Sequence, residues 1–503
     1  MESLANSDKN TTFATTKVGK AAKIPLKQVG KTAETPLIWV GKAAEITKDS
    51  KQLRHKYMIN RKIYNYLREF FNKETKALLI SGARQVGKTY AIRKVGKELF
   101  EQVVELNFIE DPSLKTLFAN PRNSKELLLR LSAYASGNLK KGKTLFFFDE
   151  IQECPDIITA IKFLVDEGSF RYIMSGSLLG VQMKDVRSLP VGYLTEKKMF
   201  PLDLEEFAAA VGMSDMVISH IRDCYERKEA VDEVIHTKML ELVNLYLVIG
   251  GMPESVVKYL ETNNIHDVRS AQSAIVNMYK KDISKYDIEN KLYIQDIFDL
   301  IPSELNAKNK RFVLKSLNEN AKYERYRNSF LWLADAGVAL PTYNLDEPRL
   351  PLRLNEQRNL FKLFLNDVGL LSSYYPFELS LKIIMGEANI NFGAIYENLA
   401  AQELAAHGYS LYYFNSKRQG EIDFVIEHEG DVVPIEIKSG KDFKRHNALS
   451  NVMATHDYGI NTAFVMSNSN LSCSNRINYL PIYMLMFICP EESSGTIIRF
   501  SPI

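Results

Sequence analysis

Eight residues, Gly82-Ala83-Arg84-Gln85-Val86-Gly87-Lys88-Thr89, constrain this chain more than any others. They fit the pattern G-x-x-x-x-G-K-[ST], and their neighbours fit it too. Ala77-Leu78-Leu79-Ile80 reads as a short buried strand entering the turn, and Tyr90 to Phe100 as a proline-free helix leaving it. Strand, glycine-rich turn and helix in that order belong to a parallel sheet with helices on its faces. The N–H groups of such a turn, backed by the helix N-terminus, form a cradle for phosphate. The expectation is an α/β fold that binds a nucleoside triphosphate, ATP, along residues 82–89. Lys88 is expected to reach the β- and γ-phosphates, and Thr89 to hold Mg²⁺ through its hydroxyl.

A second segment completes that expectation. In Thr144-Leu145-Phe146-Phe147-Phe148-Asp149-Glu150, an apolar run ends in two carboxylates. A buried parallel strand would carry them to its C-terminal edge, where such sheets bind ligands. Asp149 is expected to help hold Mg²⁺, and Glu150 to orient or deprotonate the attacking water. Ser175, in Ser175-Gly176-Ser177 after another apolar run, is placed to sense the γ-phosphate or that water. No arginine finger is assigned: Arg84 lies inside the loop, and Arg171, Arg187 and Arg222 are all open to a surface-residue reading.

Composition narrows the setting. With 503 residues, 46% hydrophobic and 25% charged, the chain has the make-up of a folded protein of more than one domain. The longest apolar run, Tyr483 to Cys489, is far too short to cross a bilayer and fits a buried strand. No membrane association is expected, and the cytoplasm is the expected compartment. Four scattered cysteines suggest neither a disulfide framework nor a zinc site. The net charge of +3 is uneven: the first 60 residues hold 11 Lys/Arg against 5 Asp/Glu, which leaves −3 for the rest. Global charge therefore gives no support for nucleic-acid binding; only a local basic patch would.

The head repeats Val18-Gly19-Lys20-Ala21-Ala22, Val29-Gly30-Lys31-Thr32-Ala33 and Val40-Gly41-Lys42-Ala43-Ala44 about every eleven residues. With Pro25 and Pro36 in register and few large apolar residues, it reads as a flexible basic arm or tether. Strands alternate with helices from about Ile59, at Val103–Phe108, Thr144–Phe148, Arg171–Met174 and Leu194–Phe200. Long helical stretches follow, and Tyr323 to Gly337 reads as an amphipathic helix before an extended Val338–Tyr343. Helices followed by a hairpin suggest a winged-helix-like unit.

Near the C-terminus, Gly420-Glu421-Ile422-Asp423-Phe424-Val425-Ile426 and Pro434-Ile435-Glu436-Ile437-Lys438 alternate polar and apolar. Period two places Glu421 with Asp423 and Glu436 with Lys438 on one face. Adjacent strands would focus these groups on one point, where a divalent cation would activate water and clamp a phosphodiester. Lys438 would orient the nucleophile or stabilise developing charge. Lys417, Arg418, Lys438, Lys441, Lys444 and Arg445 are candidates for a basic groove near Asp423. A solvated charged edge on a binding or scaffold domain would present the same pattern.

The phosphate-loop segment, Phe148-Asp149-Glu150-Ile151-Gln152-Glu153 and Ser175-Gly176-Ser177, in this order, resemble AAA-type ATP-binding proteins of bacteria and archaea. In these the ATPase is fused to a C-terminal domain of unknown function with a restriction-endonuclease-like core. The resemblance takes in Tyr193 to Phe207, Gly250-Gly251-Met252-Pro253 and Phe361 to Leu371. It departs at Gly192-Tyr193, where many relatives have a basic residue. It implies that Asp423, Glu436 and Lys438 match a D…E-x-K signature, with Glu397, on a helix over Gly393–Ala406, as an auxiliary acid; Asp423, Glu436 and Glu397 would form a second metal site. The implied fold is α/β multidomain: an arm over 1–55, an AAA-type parallel sheet over 56–202, a helical lid over 203–265, a winged-helix-like middle over 266–350, a connector over 351–390 and the nuclease-like domain over 391–503. ATP hydrolysis coupled to DNA or RNA processing is one functional expectation. A second is a nucleotide-dependent switch that engages a protein partner, and a third is DNA binding through the winged-helix-like unit without cutting; the oligomeric state is open.

Overall fold

The computed structural model describes residues 59–490, apart from 122, 136–137, 178–189, 191, 287–290, 308–309, 320–321, 388–391 and 441. The expected arm, Arg187 and Lys441 lie outside the described residues.

The first half is an open parallel sheet flanked by helices. In chain order it comprises α1 (Lys62–Lys73), β1 (Ala77–Ser81), α2 (Lys88–Leu99), β2 (Gln102–Asn107), α3 (Ser124–Tyr134), β3 (Thr144–Asp149), α4 (Asp156–Glu167), β4 (Arg171–Ser175) and β5 (Leu194–Lys198). The strands lie in the order β2-β3-β4-β1-β5, every pair parallel. β1 and β3 are buried along their whole length, which is why they read as continuous apolar runs. Their side chains still alternate between faces. Leu78, Ile80, Leu145 and Phe147 enter the core with α1 and α2, while Leu79, Phe146 and Phe148 enter the one with α3 and α4.

A helical region follows: α5 (Leu204–Ala210), α6 (Asp215–Arg227), α7 (Glu233–Ile249), α8 (Pro253–Thr262), α9 (Ile265–Tyr286), α10 (Lys291–Asn306) and α11 (Tyr323–Asp335). The remaining elements are β6 (Ala339–Leu345), β7 (Glu356–Leu365), α12 (Val368–Ser372), α13 (Phe377–Ile384), α14 (Gly393–Ala406), β8 (Tyr412–Ser416), β9 (Gly420–His428), β10 (Asp431–Ile437), α15 (Asn447–Met453), β11 (Ala463–Ser467), β12 (Ser472–Ser474) and β13 (Ile477–Pro481). Their strands form one mixed sheet in the order β12-β13-β11-β10-β9-β8-β6-β7. The architecture is thus α/β multidomain, a parallel sheet followed by helices and a C-terminal mixed sheet.

Two expectations change. The helix-plus-hairpin at 323–365 is not a free-standing winged unit, because β6 pairs in parallel with β8 and the β6–β7 hairpin closes one end of the C-terminal sheet. The boundaries drawn at 350 and 391 therefore cut through a sheet. The apolar run from Tyr483 is a 3-10 helix over Ile482–Phe487, not a strand. It follows Pro481 and packs on α7, where Tyr483 Oη lies 2.9 Å from His236 Nδ1. A short all-apolar run has no period by which to tell the two apart. No single helix among the described residues is long and apolar enough to cross a membrane.

A buried junction joins the helical region, from the segment that enters it, to the C-terminal part. Asp367, fully buried, accepts from Gly251 N at 2.6 Å and from Leu370 N at 2.9 Å. Burial pushes its carboxyl up to about 6, although backbone N–H groups pull the other way. Leu202 N donates to Gly251 O at 2.7 Å. From α14, Glu403 Oε1 accepts from Leu204 N at 2.9 Å, and Gln402 Nε2 donates to Tyr246 Oη at 2.7 Å. One apolar core runs from Leu78 and Ile80 through α7 to Phe424 and Ile435.

Candidate functional site

The phosphate loop leaves the C-terminal edge of β1, between β4 and β5; Ser175 ends β4 beside it, and Asp149 ends β3, one strand further. Gly87 has φ 97°, a backbone that favours glycine, as the N-cap of α2. Lys88 is buried and folds back on the loop, donating to Gly82 O at 2.9 Å and Ala83 O at 2.7 Å. Burial pulls its ammonium down to about 8, against the opposing pull of Glu150 and Asp149. Thr89 Oγ1 donates to Asp149 at 3.1 Å and 3.3 Å, so hydroxyl and carboxylate converge at the start of α2. Asn107 Nδ2 also donates to Asp149, at 3.3 Å, and Ser175 Oγ bonds to it. Burial, the largest effect, raises the Asp149 pKa despite the Ser175 and Thr89 hydroxyls. This set of a hydroxyl, a carboxylate and a nearby lysine suits Mg²⁺ bound with a polyphosphate. Glu150 sits in the left-handed region at φ 58° and ψ 48°, and its Oε2 accepts from Gln152 Nε2 at 2.5 Å.

The candidate arginines divide. Arg84 Nη1 meets Asp282 Oδ1 of α9 at 2.6 Å, and its Nε donates to Ser177 Oγ at 3.3 Å. Arg171 donates to backbone carbonyls of Phe71 and Glu74, near the edge where β4 begins. Arg222 pairs with Glu205 at 2.7 Å and covers the Phe487 ring. Tyr193 O accepts from Ala77 N, at the sheet edge opposite the loop. Sequence reasoning missed Arg61. Buried, it donates to Val86 O at 3.1 Å, Phe200 O at 2.8 Å and Glu206 Oε2 at 2.8 Å, bracing the loop from behind. A lone arginine before a helix carries no signal of that role.

In the C-terminal sheet Glu397, Glu421, Asp423, Glu436 and Lys438 do come together, around a cleft of about 380 Å³. Of the expected basic groove residues, Lys438 and Arg445 line it, joined by Lys310. Lys438 Nζ lies 2.9 Å from Glu436 Oε2. Burial, with Asp423 adding to it, nonetheless pushes the Glu436 carboxyl up to about 8. Two lysines that sequence reasoning left without a role hold the other acids. Lys310 pairs with Glu397, and the fully buried Lys362 lies 2.7 Å from Glu421 and 3.6 Å from Glu397. Among the described residues no three His, Cys, Asp or Glu side chains are grouped so as to hold a metal ion. Asp423, Glu436 and Glu397 thus share a cleft, and the ammonium groups of Lys310, Lys362 and Lys438 stand beside them. A lysine inside Phe361-Lys362-Leu363-Phe364-Leu365 was the available signal, since a cation in an apolar strand needs buried anions.

Residues 74–208 match the model of the AAA domain. Residues 240–380 match a domain of unknown function (DUF8612), and residues 392–485 match another (DUF4143). Among curated proteins none matches the chain in sequence. Solved structures similar in part include the Walker-type ATPase PABY2304 of Pyrococcus abyssi, at 15% identity and TM-score 0.41, covering 63% of this chain and 96% of that one. They also include the Aeropyrum pernix Orc1 protein in complex with DNA, at 15% identity and TM-score 0.25, covering 66% and 93%. A point variant of Thermotoga maritima RuvB matches at 13% identity and TM-score 0.26, covering 60% and 90%. Overlap of this extent carries no argument about function. The sheet order, the loop at its C-terminal edge and the matched model together identify residues 74–208 as an AAA-type P-loop domain.

Proposed function

We propose that this chain is a Mg²⁺-dependent ATPase working as a nucleotide-dependent switch, with a restriction-endonuclease-like C-terminal core that holds a protein partner rather than cutting nucleic acid. The convergence of Lys88, Thr89, Asp149 and Glu150 at one strand edge carries the ATPase reading. Lys88 would leave the loop carbonyls for the β- and γ-phosphates. Thr89 and Asp149 would hold Mg²⁺, which supplies charge neutralisation at the phosphates when bound. Glu150 would orient and deprotonate the attacking water, with Gln152 fixing its carboxylate. The switch reading is supported by the bonds of Glu403 to Leu204 and of Asp367 to Gly251, which tie the end of the AAA domain and the helical region after it to the C-terminal part. The nuclease-like reading of the core is supported by Glu397, Asp423, Glu436 and Lys438 sharing one cleft.

Nucleic-acid processing is the second reading, favoured by Lys310, Lys438 and Arg445 lining that cleft. ATP turnover measured at low salt with and without duplex DNA, single-stranded DNA and RNA separates the two. The switch reading expects turnover unchanged within about twofold. Stimulation of about tenfold or more, lost at high salt, would transfer the case to nucleic acid.

Lys88 also sets a pH dependence. Its folded pKa of about 8 lies below the ordinary 10.5, so it is protonated below about pH 8 and loses its proton above. The buried charge costs stability below that pH, and the cost fades as pH rises from 8 towards 10.5. ATP needs the ammonium. Affinity should therefore be flat, as far as this group is concerned, below about pH 8 and fall by up to about tenfold per pH unit above it. Calorimetry at about pH 9 in two buffers of different ionisation enthalpy should show net proton uptake on ATP binding. Affinity that holds constant to about pH 10 would contradict this role for Lys88.

A further inference from the structure

Each of the C-terminal carboxylates has an ammonium or N–H group within 4.0 Å of at least one oxygen. Glu397 Oε1 pairs with Lys310, and its Oε2 faces Lys362 Nζ at 3.6 Å. Glu421 Oε1 lies 2.7 Å from Lys362 Nζ, and its Oε2 accepts from Asn415 Nδ2 at 2.7 Å. Asp423 Oδ1 lies 4.0 Å from Lys362 Nζ, and its Oδ2 accepts from Ile437 N at 2.9 Å. Glu436 Oε2 meets Lys438 at 2.9 Å.

Lys362 is the centre of this arrangement. It has no solvent exposure, and its ammonium also lies 5.0 Å from the centroid of the Tyr413 ring. A buried ammonium is retained only where anions surround it. Here those anions come from β9 and α14, the elements that would supply ligands to a metal. A divalent cation takes about six or more oxygens that are free to turn towards it. In this cleft most of the carboxylate oxygens face lysines, the Asn415 amide or the Ile437 N–H, and the fully buried lysine on β7 stands among Glu397, Glu421 and Asp423.

We propose that Lys362 is a built-in cation occupying the place of a divalent metal among Glu397, Glu421 and Asp423, so that this cleft has no divalent-metal site of its own. Removing the ammonium creates one: the carboxylates lose their central partner and accept a hard cation instead. The inference supports the non-cutting reading of the C-terminal core but does not depend on the ATP site.

Mn²⁺ titration of the nucleotide-free full chain, followed by electron paramagnetic resonance of free Mn²⁺, tests it. Wild type and Asp423→Asn should bind the same amount of Mn²⁺. Lys362→Met, which keeps the length of the side chain, should gain one Mn²⁺ per chain, and adding Asp423→Asn to it should remove that ion. A wild-type Mn²⁺ site that disappears in Asp423→Asn would overturn the proposal, as would a folded Lys362→Met that gains no Mn²⁺. Where Lys362→Met does not fold, the comparison of wild type with Asp423→Asn still decides. Failure here would leave the response of ATP turnover to DNA and RNA as a separate test of the switch.

Discussion

Gly251→Ala should destabilise the whole described body by about 3 kcal/mol or more, a cost typical of forcing atoms into a closed backbone contact. A Cβ on Gly251 would overlap the Leu202 carbonyl and lie 2.8 Å from Leu202 N. Neither neighbour is a flexible side-chain tip that can swing away. Leu202 is held by its bond to Gly251 O and leads straight into Asp203, the N-cap of α5. On the other side, Gly251 N donates to the buried Asp367 carboxylate, so backing away from Leu202 strips that carboxylate of a donor. The flanking contacts are just as close. A Cβ on Gly250 would overlap the Asp367 carboxylate, and one on Gly369 the backbone of Ile249 and Gly250. The thermal midpoint should fall by about 3 °C or more. Gly440→Ala is the matched control, since a Cβ there meets nothing within 4 Å. Equal midpoints for the two variants would show that the junction yields and is not a fixed coupling element.

That junction explains segments whose role the sequence left blank. Gly250-Gly251-Met252-Pro253 and Asn366-Asp367-Val368-Gly369 stand out as motifs, yet nothing in their order says that they bond across 116 residues. The ATP site was legible for the opposite reason. Its loop, its flanking strand and its helix are contiguous, so local chemistry specifies them, and β1 and β3 announce their burial by apolar runs that end at functional residues. Asp149 and Ser175 end adjacent parallel strands, and Thr89 meets Asp149 from the first turn of α2.

Long-range partners were not legible. The period-two pattern placed Glu421 beside Asp423 and Glu436 beside Lys438 correctly, but it could not reveal that β7 would send Lys362 among them. It also could not show that the hairpin of β6 and β7 joins the C-terminal sheet, because strand identity is local and strand partners are not. Ser175 changes character in the same way. Its hydroxyl is bound to Asp149, so its first effect is to hold that carboxylate in place.

The reading of residues 82–89 and 144–150 as a hydrolytic centre rests most directly on Glu150. Its carboxylate is the group assigned to the attacking water, while Lys88, Thr89 and Asp149 are assigned to binding. Glutamine keeps the size of the side chain and an oxygen to accept from Gln152, but it cannot take a proton. The decisive measurement is phosphate release from ATP by wild type and Glu150→Gln, in Mg²⁺ and in chelator, with ATP binding measured alongside. The account predicts Mg²⁺-dependent turnover by wild type and a loss of about 10²- to 10⁴-fold in Glu150→Gln with ATP still bound. Wild-type turnover that is absent in saturating Mg²⁺ and ATP, or that survives Glu150→Gln undiminished, would contradict it.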